Sequence, residues 1–371
     1  MRTDLLGIVF SNTADSLVRD LTDVRCFGSV PFGGRYRLID FTLSNLVNAG
    51  VSKVAVMTKS NYRSLMDHLG SGKYWDLARK KGGLTIFPPF INYGNGTRNS
   101  RIDQLRTVLP LVEMSTQEYI VMSDCDVVAN IDIEKLVKKH IESGSDITIA
   151  YKKGMLPNSS EGRMVFELDQ NNRVTDILRS PEIDTECNYS LNIAVLKREL
   201  LIKLVRDAEA HSYIEIIRDI LQPGLSKFHI HGEEITDYAF VIDSMRGYLQ
   251  ANLDLLNDDI RTQLFYTGRT VYTKVRDEMP VKYGLNSSCK NSLIADGCVI
   301  DGEVENSILF RGVKVSKGVK IKNSIIMQNT IIQDDSRLEY TICDKNVTIT
   351  PKRIIIGYKT YPAFIKKSAR V

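Results

Sequence analysis

A chain of 371 residues with an apolar fraction of 43% is long enough for two domains, each with its own buried core. Its 49 basic and 45 acidic residues leave a formal charge of +4 in a mixed pattern, which argues against nucleic-acid binding but leaves local basic clusters able to hold a small anion. No basic segment followed by an apolar core opens the chain, no apolar run nears the roughly 20 residues that span a bilayer, and the expected location is the cytoplasm.

The six cysteines, Cys26, Cys125, Cys187, Cys289, Cys298 and Cys343, show no metal-ligand spacing and read as free thiols. The first apolar run, Leu5 to Phe10, predicts a strand that passes into a polar loop. Pro31 to Phe41 follows, carrying Gly33-Gly34, Arg35 and Arg37, and leads into a helix with Leu43, Leu46 and Val47 at helical spacing and Gly50 as its stop. Further strands are expected at Lys53 to Met57, Leu84 to Phe87, Tyr119 to Met122, Ile147 to Tyr151 and Asn192 to Leu196. Helices are expected at Ile133 to Glu142, Arg198 to Ala208 and Tyr213 to Leu221. This alternation implies a mainly parallel α/β sheet over residues 1–257, whose ligands gather at the carboxyl ends of its strands.

Residues 258–282 read as a mixed linker, and from 283 to 371 the helical period is replaced by a period of six. Val313, Val319, Ile325 and Ile331 share one register, and Ile326, Ile332 and Leu338 another. Asn291-Ser292, Asn306-Ser307 and Asn323-Ser324 each precede an aliphatic pair. Inward aliphatic residues with Asn or Gly corners predict a parallel β-helix. An ordinary β-sandwich is the alternative, but it would not hold a six-residue register over several turns.

PFGGRYRLIDFTLSNLVNAGV, from Pro31 to Val51, closely resembles the corresponding segment of the ADP-glucose pyrophosphorylases. The resemblance continues through Gly72 to Leu77, Ile86 to Pro89, Gly96-Thr97 and Ala251 to Leu255. It implies a Rossmann-like nucleotidyltransferase domain followed by a left-handed parallel β-helix, and a reaction joining glucose 1-phosphate to ATP with release of pyrophosphate. That chemistry needs a phosphate cradle, cations near the attacked phosphorus, and Mg²⁺ held by carboxylates.

Set against the family's motifs, this sequence departs at the first two. The glycine-rich loop G-G-x-G-T-R-L falls on Asn12 to Val18, so Asp15 stands in the cradle and Leu17 at the arginine position. Asn12 or Thr13 then reads as an N-cap, with Asp15 in the first helical turn. The lysine of K-P-A-V falls on Phe27, although Arg25 keeps a basic residue nearby. On the sugar side F-V-E-K-P falls on Ile177 to Pro181, which puts Arg179 and Ser180 where the family has glutamate and lysine. Arg179 could meet a phosphate, but a solvated strand residue is the plainer reading.

The metal positions are better kept. The resemblance places the Mg²⁺ carboxylates on Asp126 and Asp243, while Asp124, Asp126 and Asp132 can equally be read as a strand-end cluster that caps the next helix. Arg25, Arg35 and Arg37 form a possible site for a phosphorylated effector. Loss of the loop cradle, its arginine and the lysine together predicts very little activity, since a single donor of that kind is worth about 10² to 10³ in rate.

The resemblance therefore implies a regulatory-type subunit, noncatalytic or nearly so, assembled with a catalytic ADP-glucose pyrophosphorylase subunit as a heterotetramer. Two alternatives are an active sugar-1-phosphate nucleotidyltransferase with a remodelled nucleotide site and a β-helix acyltransferase. The second needs a histidine on the coils, and none occurs after His231.

Overall fold

The computed structural model describes residues 4–12, 14–89, 100–157, 163–179, 181 and 183–371. Strands β1 (Leu5–Phe10), β2 (Lys53–Met57), β3 (Gly83–Phe87) and β4 (Tyr119–Asp124) lie parallel in the order β4-β1-β2-β3. Every residue of β1 is buried, and its side chains alternate between two cores. Leu5 and Val9 join one; Leu6, Ile8 and Phe10 join the other. A strand covered on both faces has no polar side, which is why it reads as a continuous apolar run.

The sheet is completed to nine strands by β5 (Ile147–Met155), β6 (Met164–Leu168), β7 (Val174–Arg179), β8 (Glu186–Lys197) and β9 (Ile230–Glu234). β9 is parallel to β5, but β8 runs antiparallel to β4, β5 and β6. The expected parallel order holds at the centre and becomes mixed beyond it.

Helices α1 (Leu38–Asn48), α2 (Arg63–Leu69), α3 (Arg101–Glu113), α4 (Ile133–Ser143) and α5 (Arg198–Ala210) cover the sheet. α1 and α4 pack into the core on one face, through Leu43, Leu46, Leu136 and Val137. α3 and α5 pack on the other, through Leu105, Val108, Leu201 and Val205. The helix expected from Tyr213 begins only near Ile217, as a π turn Ile217–Leu221. The Asp219 carboxylate accepts the N–H groups of Ile214 and Glu215, both at 2.9 Å, and so takes donors that an earlier turn would have used.

Helix α6 (Met245–Asp254) returns towards the first loop, where Tyr248 donates its hydroxyl to the Pro31 carbonyl at 2.5 Å. The stretch read as a linker begins with helix α7 (Asp258–Phe265), whose Phe265 ring stacks on Tyr36 with centroids 5.2 Å apart. Gly33 and Gly34 have φ of +57° and +83°, and a Cβ on Gly33 would stand 2.7 Å from Leu255 Cδ1. Backbone freedom and close packing both demand glycine at Gly33.

From Lys282 onward three parallel sheets of five short strands wind into a β-helix. Val313, Val319, Ile325, Ile326, Ile332 and Leu338 all point inward, as their period predicts. Ile331 does not: it is 36% exposed, in a column with Lys314. Lys314 pairs with Ile331 and Ile331 with Thr348, so a coil here advances 17 residues rather than 18 and one side chain changes face. The corner asparagines Asn291, Asn306 and Asn323 adopt φ of +41°, +46° and +49°. Beneath them Ser292, Ser307 and Ser324 accept N–H groups from Ser307, Ser324 and Thr341, which satisfies the backbone at each bend. The β-helix shares a core with the sheet domain, since Phe310, Met327 and Ile342 belong to the same apolar cluster as Phe32 and Tyr248.

Candidate functional site: a filled cleft and a basic pocket

The loop after β1 turns into a 3₁₀ turn, Asp15–Val18, and a short helix, Arg19–Thr22. Ala14 holds the N-cap position and no side chain caps the turn, so buried Asn12 does not act as expected; Thr13 lies outside the described residues. Asp15 does sit in the first turn, but its carboxylate accepts the backbone N–H of Phe27 at 2.7 Å. Burial pushes the Asp15 carboxyl up to about 6, against the opposing pull of the Phe27 hydrogen bond and the Lys59 charge. Phe27 is a core side chain, 1% exposed, and Leu17 packs partly buried against the same core. The loop and lysine positions are thus tied to each other.

The two carboxylates read as metal ligands lie at the same end of a small antiparallel ladder. Val127–Ala129 pairs with Ala239–Val241, and the Ile242 N–H donates to the Asp126 carbonyl at 2.8 Å, which sets Asp126 and Asp243 on adjoining strand ends. Both side chains are buried. Asp126 already holds a cation. Arg163, itself buried, places Nη2 on Asp126 Oδ2 and Nη1 on the Ser190 carbonyl at 2.7 Å. Asp124 is gripped by Arg101, with 2.6 Å to Oδ1, and Asp243 Oδ1 accepts the Ser244 hydroxyl at 2.8 Å. Of the strand-end cluster only Asp132 caps a helix, accepting the Lys135 N–H at 2.9 Å.

No group of three or more metal-capable side chains occurs among the described residues. Asp126 Oδ1 is buried with no hydrogen-bond partner, so one oxygen remains while the other is committed to Arg163. Mg²⁺ does not fit this arrangement as it stands, because the guanidinium and the ion would compete for one carboxylate. On the sugar side, Arg179 is half exposed and its Nε pairs with Glu215. Ser180 lies outside the described residues, as do Gly96 and Thr97.

A second site lies where the sheet domain, the 258–282 stretch and the β-helix meet. A cavity of about 180 Å³ is lined by Arg35 and Arg37 from the first, Lys274 and Arg276 from the second, and Arg311, Lys345 and Lys367 from the third. No described lining residue is acidic. Arg37 donates to the Ser64 carbonyl and hydroxyl at 2.6 and 2.9 Å, which fixes its guanidinium. Burial and the neighbouring Arg37 and Arg25 draw the Lys345 ammonium down to about 7, and burial draws Arg37 down to about 10. Concentrated positive charge at low exposure is an anion site in waiting.

Arg25, expected beside Arg35 and Arg37, is not in that pocket. It is 2% exposed, and its Nη2 donates to both carboxylate oxygens of Asp344 in the β-helix, at 2.8 and 2.9 Å. Sequence reading missed the five cations that complete the pocket, because they come from separate stretches of the chain far from Arg35 and Arg37. It also missed Arg163, which belongs to no motif.

Residues 15–239 match the nucleotidyl transferase family, and residues 279–361 match the GlmU-like C-terminal hexapeptide family. The chain is 39% identical over 364 residues to the glycogen biosynthesis protein GlgD of Bacillus subtilis, covering 98% of this chain and 96% of that one. It is 37% identical to GlgD of Geobacillus stearothermophilus over 85% of this chain and 82% of that one. It is 32% identical to the glucose-1-phosphate adenylyltransferase of Thermosipho africanus, over 85% and 77% respectively. The chain belongs to the ADP-glucose pyrophosphorylase family.

Against this family's motifs, the contacts above tie three of the site's carboxylates to other parts of the same chain. Asp15 answers Phe27, Arg163 answers Asp126 and Arg101 answers Asp124. All six cysteines are free thiols, and the β-helix is of the left-handed hexapeptide kind. No helix among the described residues is long and apolar enough to cross a membrane.

Proposed function

We propose that this chain is a regulatory-type subunit of an ADP-glucose pyrophosphorylase, with little or no activity of its own, acting in glycogen biosynthesis in the cytoplasm. The observation that carries this reading is the Arg163 guanidinium on Asp126, where the family's pattern would place Mg²⁺. A second cation beside it would meet the full charge of a buried arginine. With Asp15 in the loop, a triphosphate would also bring negative charge against a partly buried carboxyl group. Removal of the cradle and the metal together costs more than any retained aspartate restores.

The chain assembles with a catalytic homologue, as a heterotetramer, and changes that partner's rate or effector response. The basic pocket takes a phosphorylated metabolite, and Lys345 and Arg37 link it to both domains. By linkage, whatever the effector does to substrate affinity the substrate does to effector affinity. Assay of the purified chain alone and mixed with a catalytic homologue tests the reading. Negligible ADP-glucose synthesis alone and an altered rate in the mixture are expected, while robust synthesis by the lone chain would sink it.

One observation favours the second reading, an active nucleotidyltransferase with a remodelled site. Asp126 and Asp243 still share one end of the ladder. Calorimetry separates the two readings, since an enzyme requires Mg²⁺-dependent ATP binding.

A further inference from the structure

Between the sheet and helices α3 and α5 lies a cavity of about 440 Å³. Its walls are aliphatic, formed by Leu105 of α3, Met122 of β4, Ile149 of β5, Ala194 of β8, Leu204 of α5 and Ile217 of the π turn. Such a volume lies within the roughly 300–1,000 Å³ of small-molecule sites, and is about three times the engineered aliphatic cavity of roughly 150 Å³ that binds benzene. Well-packed interiors hold few voids of this size.

The charged residues among the described lining are Arg101, Arg179 and Glu215, and each is partly exposed, which marks the open side. The strand beneath is irregular at this point. The register of β8 shifts between Ser190 and Ile193, and Asn192 sits at φ +55°, held by its N–H on the Ser190 hydroxyl at 2.9 Å. Bulges, π turns and strained non-glycine residues collect at binding sites, and this cavity is bordered by all three.

We propose that this cavity binds a medium-chain aliphatic carboxylate, with the chain between α3, α5 and the sheet and the carboxylate at Arg179. No described lining residue is aromatic, so the walls favour a flexible aliphatic body over a planar one. Beyond the polar lining side chains, Ser100, Arg101, Arg179, Ser190, Asn192 and Glu215, a sugar would press its hydroxyl groups against aliphatic walls that cannot bond them. Arg179 places its Nε on Glu215, and a guanidinium carries five N–H donors, so others can face an anionic head. The site is separate from the basic pocket, its mouth at Arg179 adjoins the sugar-side position described above, and it stands whether or not the regulatory reading does.

Titration calorimetry of the full chain with decanoate, below its micellar concentration, tests it. Saturable binding of one decanoate per chain is expected, about fifteenfold tighter than octanoate at roughly fourfold per buried methylene. Leu204→Trp fills the cavity and abolishes uptake, and Arg179→Ala weakens it at least tenfold, with circular dichroism confirming that both variants fold. The chain-length series uses the unaltered protein, so it reads the site even where a variant does not fold. No saturable uptake, a flat chain-length series, or undiminished uptake by folded Leu204→Trp overturns the proposal.

Discussion

Arg25 and Asp344, 319 residues apart in sequence, meet in an ion pair in which Arg25 Nη2 lies 2.8 and 2.9 Å from the two carboxylate oxygens, with both side chains buried. The pair joins the loop of the sheet domain to the last coils of the β-helix. Arg25 is two residues from Phe27, and Asp344 directly precedes Lys345 of the basic pocket. A chain of contacts therefore runs from the pocket through Lys345, Asp344 and Arg25 to Phe27 and Asp15. Breaking a buried pair leaves an uncompensated charge, which costs about 3–5 kcal/mol. Arg25→Ala should lower stability to urea by that amount, whereas Arg25→Met with Asp344→Leu should recover much of it. A loss in the double variant equal to the sum of the losses in Arg25→Met and Asp344→Leu alone would show that the pair contributes no coupling.

The basic pocket gives a pH dependence whose sign follows from Lys345. Its ammonium titrates near 7, below the usual lysine range, because of burial and the adjacent Arg37 and Arg25. Below that value the pocket carries the extra charge; above it the charge is gone. Affinity for sulfate, whose own charge is constant over this range, should therefore fall as pH rises from 6 to 8.5, and Lys345→Met should flatten that fall. In the absence of anion the unfolded chain binds this proton more tightly than the folded one, so stability should rise with pH above about 7 until the unfolded lysine titrates. Calorimetric titration at four pH values checks the first point. Affinity independent of pH would remove Lys345 from the site.

Much of the fold was legible because its signals are local. β1 is an unbroken apolar run since both faces are covered, and the six-residue period survives because each coil repeats the same inward side chains. Ile331 misled because a one-residue change in coil length is invisible in a run of isoleucines. The site was harder for a different reason. Arg35 and Lys367 line one pocket from opposite ends of the chain, and Arg163 meets Asp126 across a tertiary contact without sequence spacing. Arg25 looked like a companion of Arg35 because sequence proximity cannot show that one faces inward to Asp344.

Asp15 supplies a stability test of the filled loop. Burial raises its carboxyl to about 6, so the folded state favours the protonated form. The folded chain then binds more protons than the unfolded chain between about 4 and 6, and stability falls as pH rises through that window. Asp15→Asn keeps an acceptor for the Phe27 N–H and removes the charge. The variant should be more stable than the parent at pH 7, with the difference closing below pH 4. Thermal melts across pH 3.5 to 7.5 measure this directly, and a variant less stable than the parent at pH 7 would mean that the carboxylate's hydrogen bond outweighs its desolvation.

The sharpest test concerns Arg163. If its guanidinium stands in for a divalent ion on Asp126, the unaltered chain should take up no Mn²⁺ at submillimolar concentrations, as read by the paramagnetic resonance signal of the free ion. Arg163→Ala strips the carboxylate of its partner and leaves a buried charge that a metal can satisfy. That variant should lose about 3–5 kcal/mol of stability, and Mn²⁺ should restore part of the loss, because an ion that binds only the folded chain stabilises it by mass action. Asp126→Asn added to Arg163→Ala should abolish the metal effect while relieving the buried charge. Mn²⁺ binding by the unaltered chain would instead place the ion beside Arg163 and return the site to the active enzyme's side of the question.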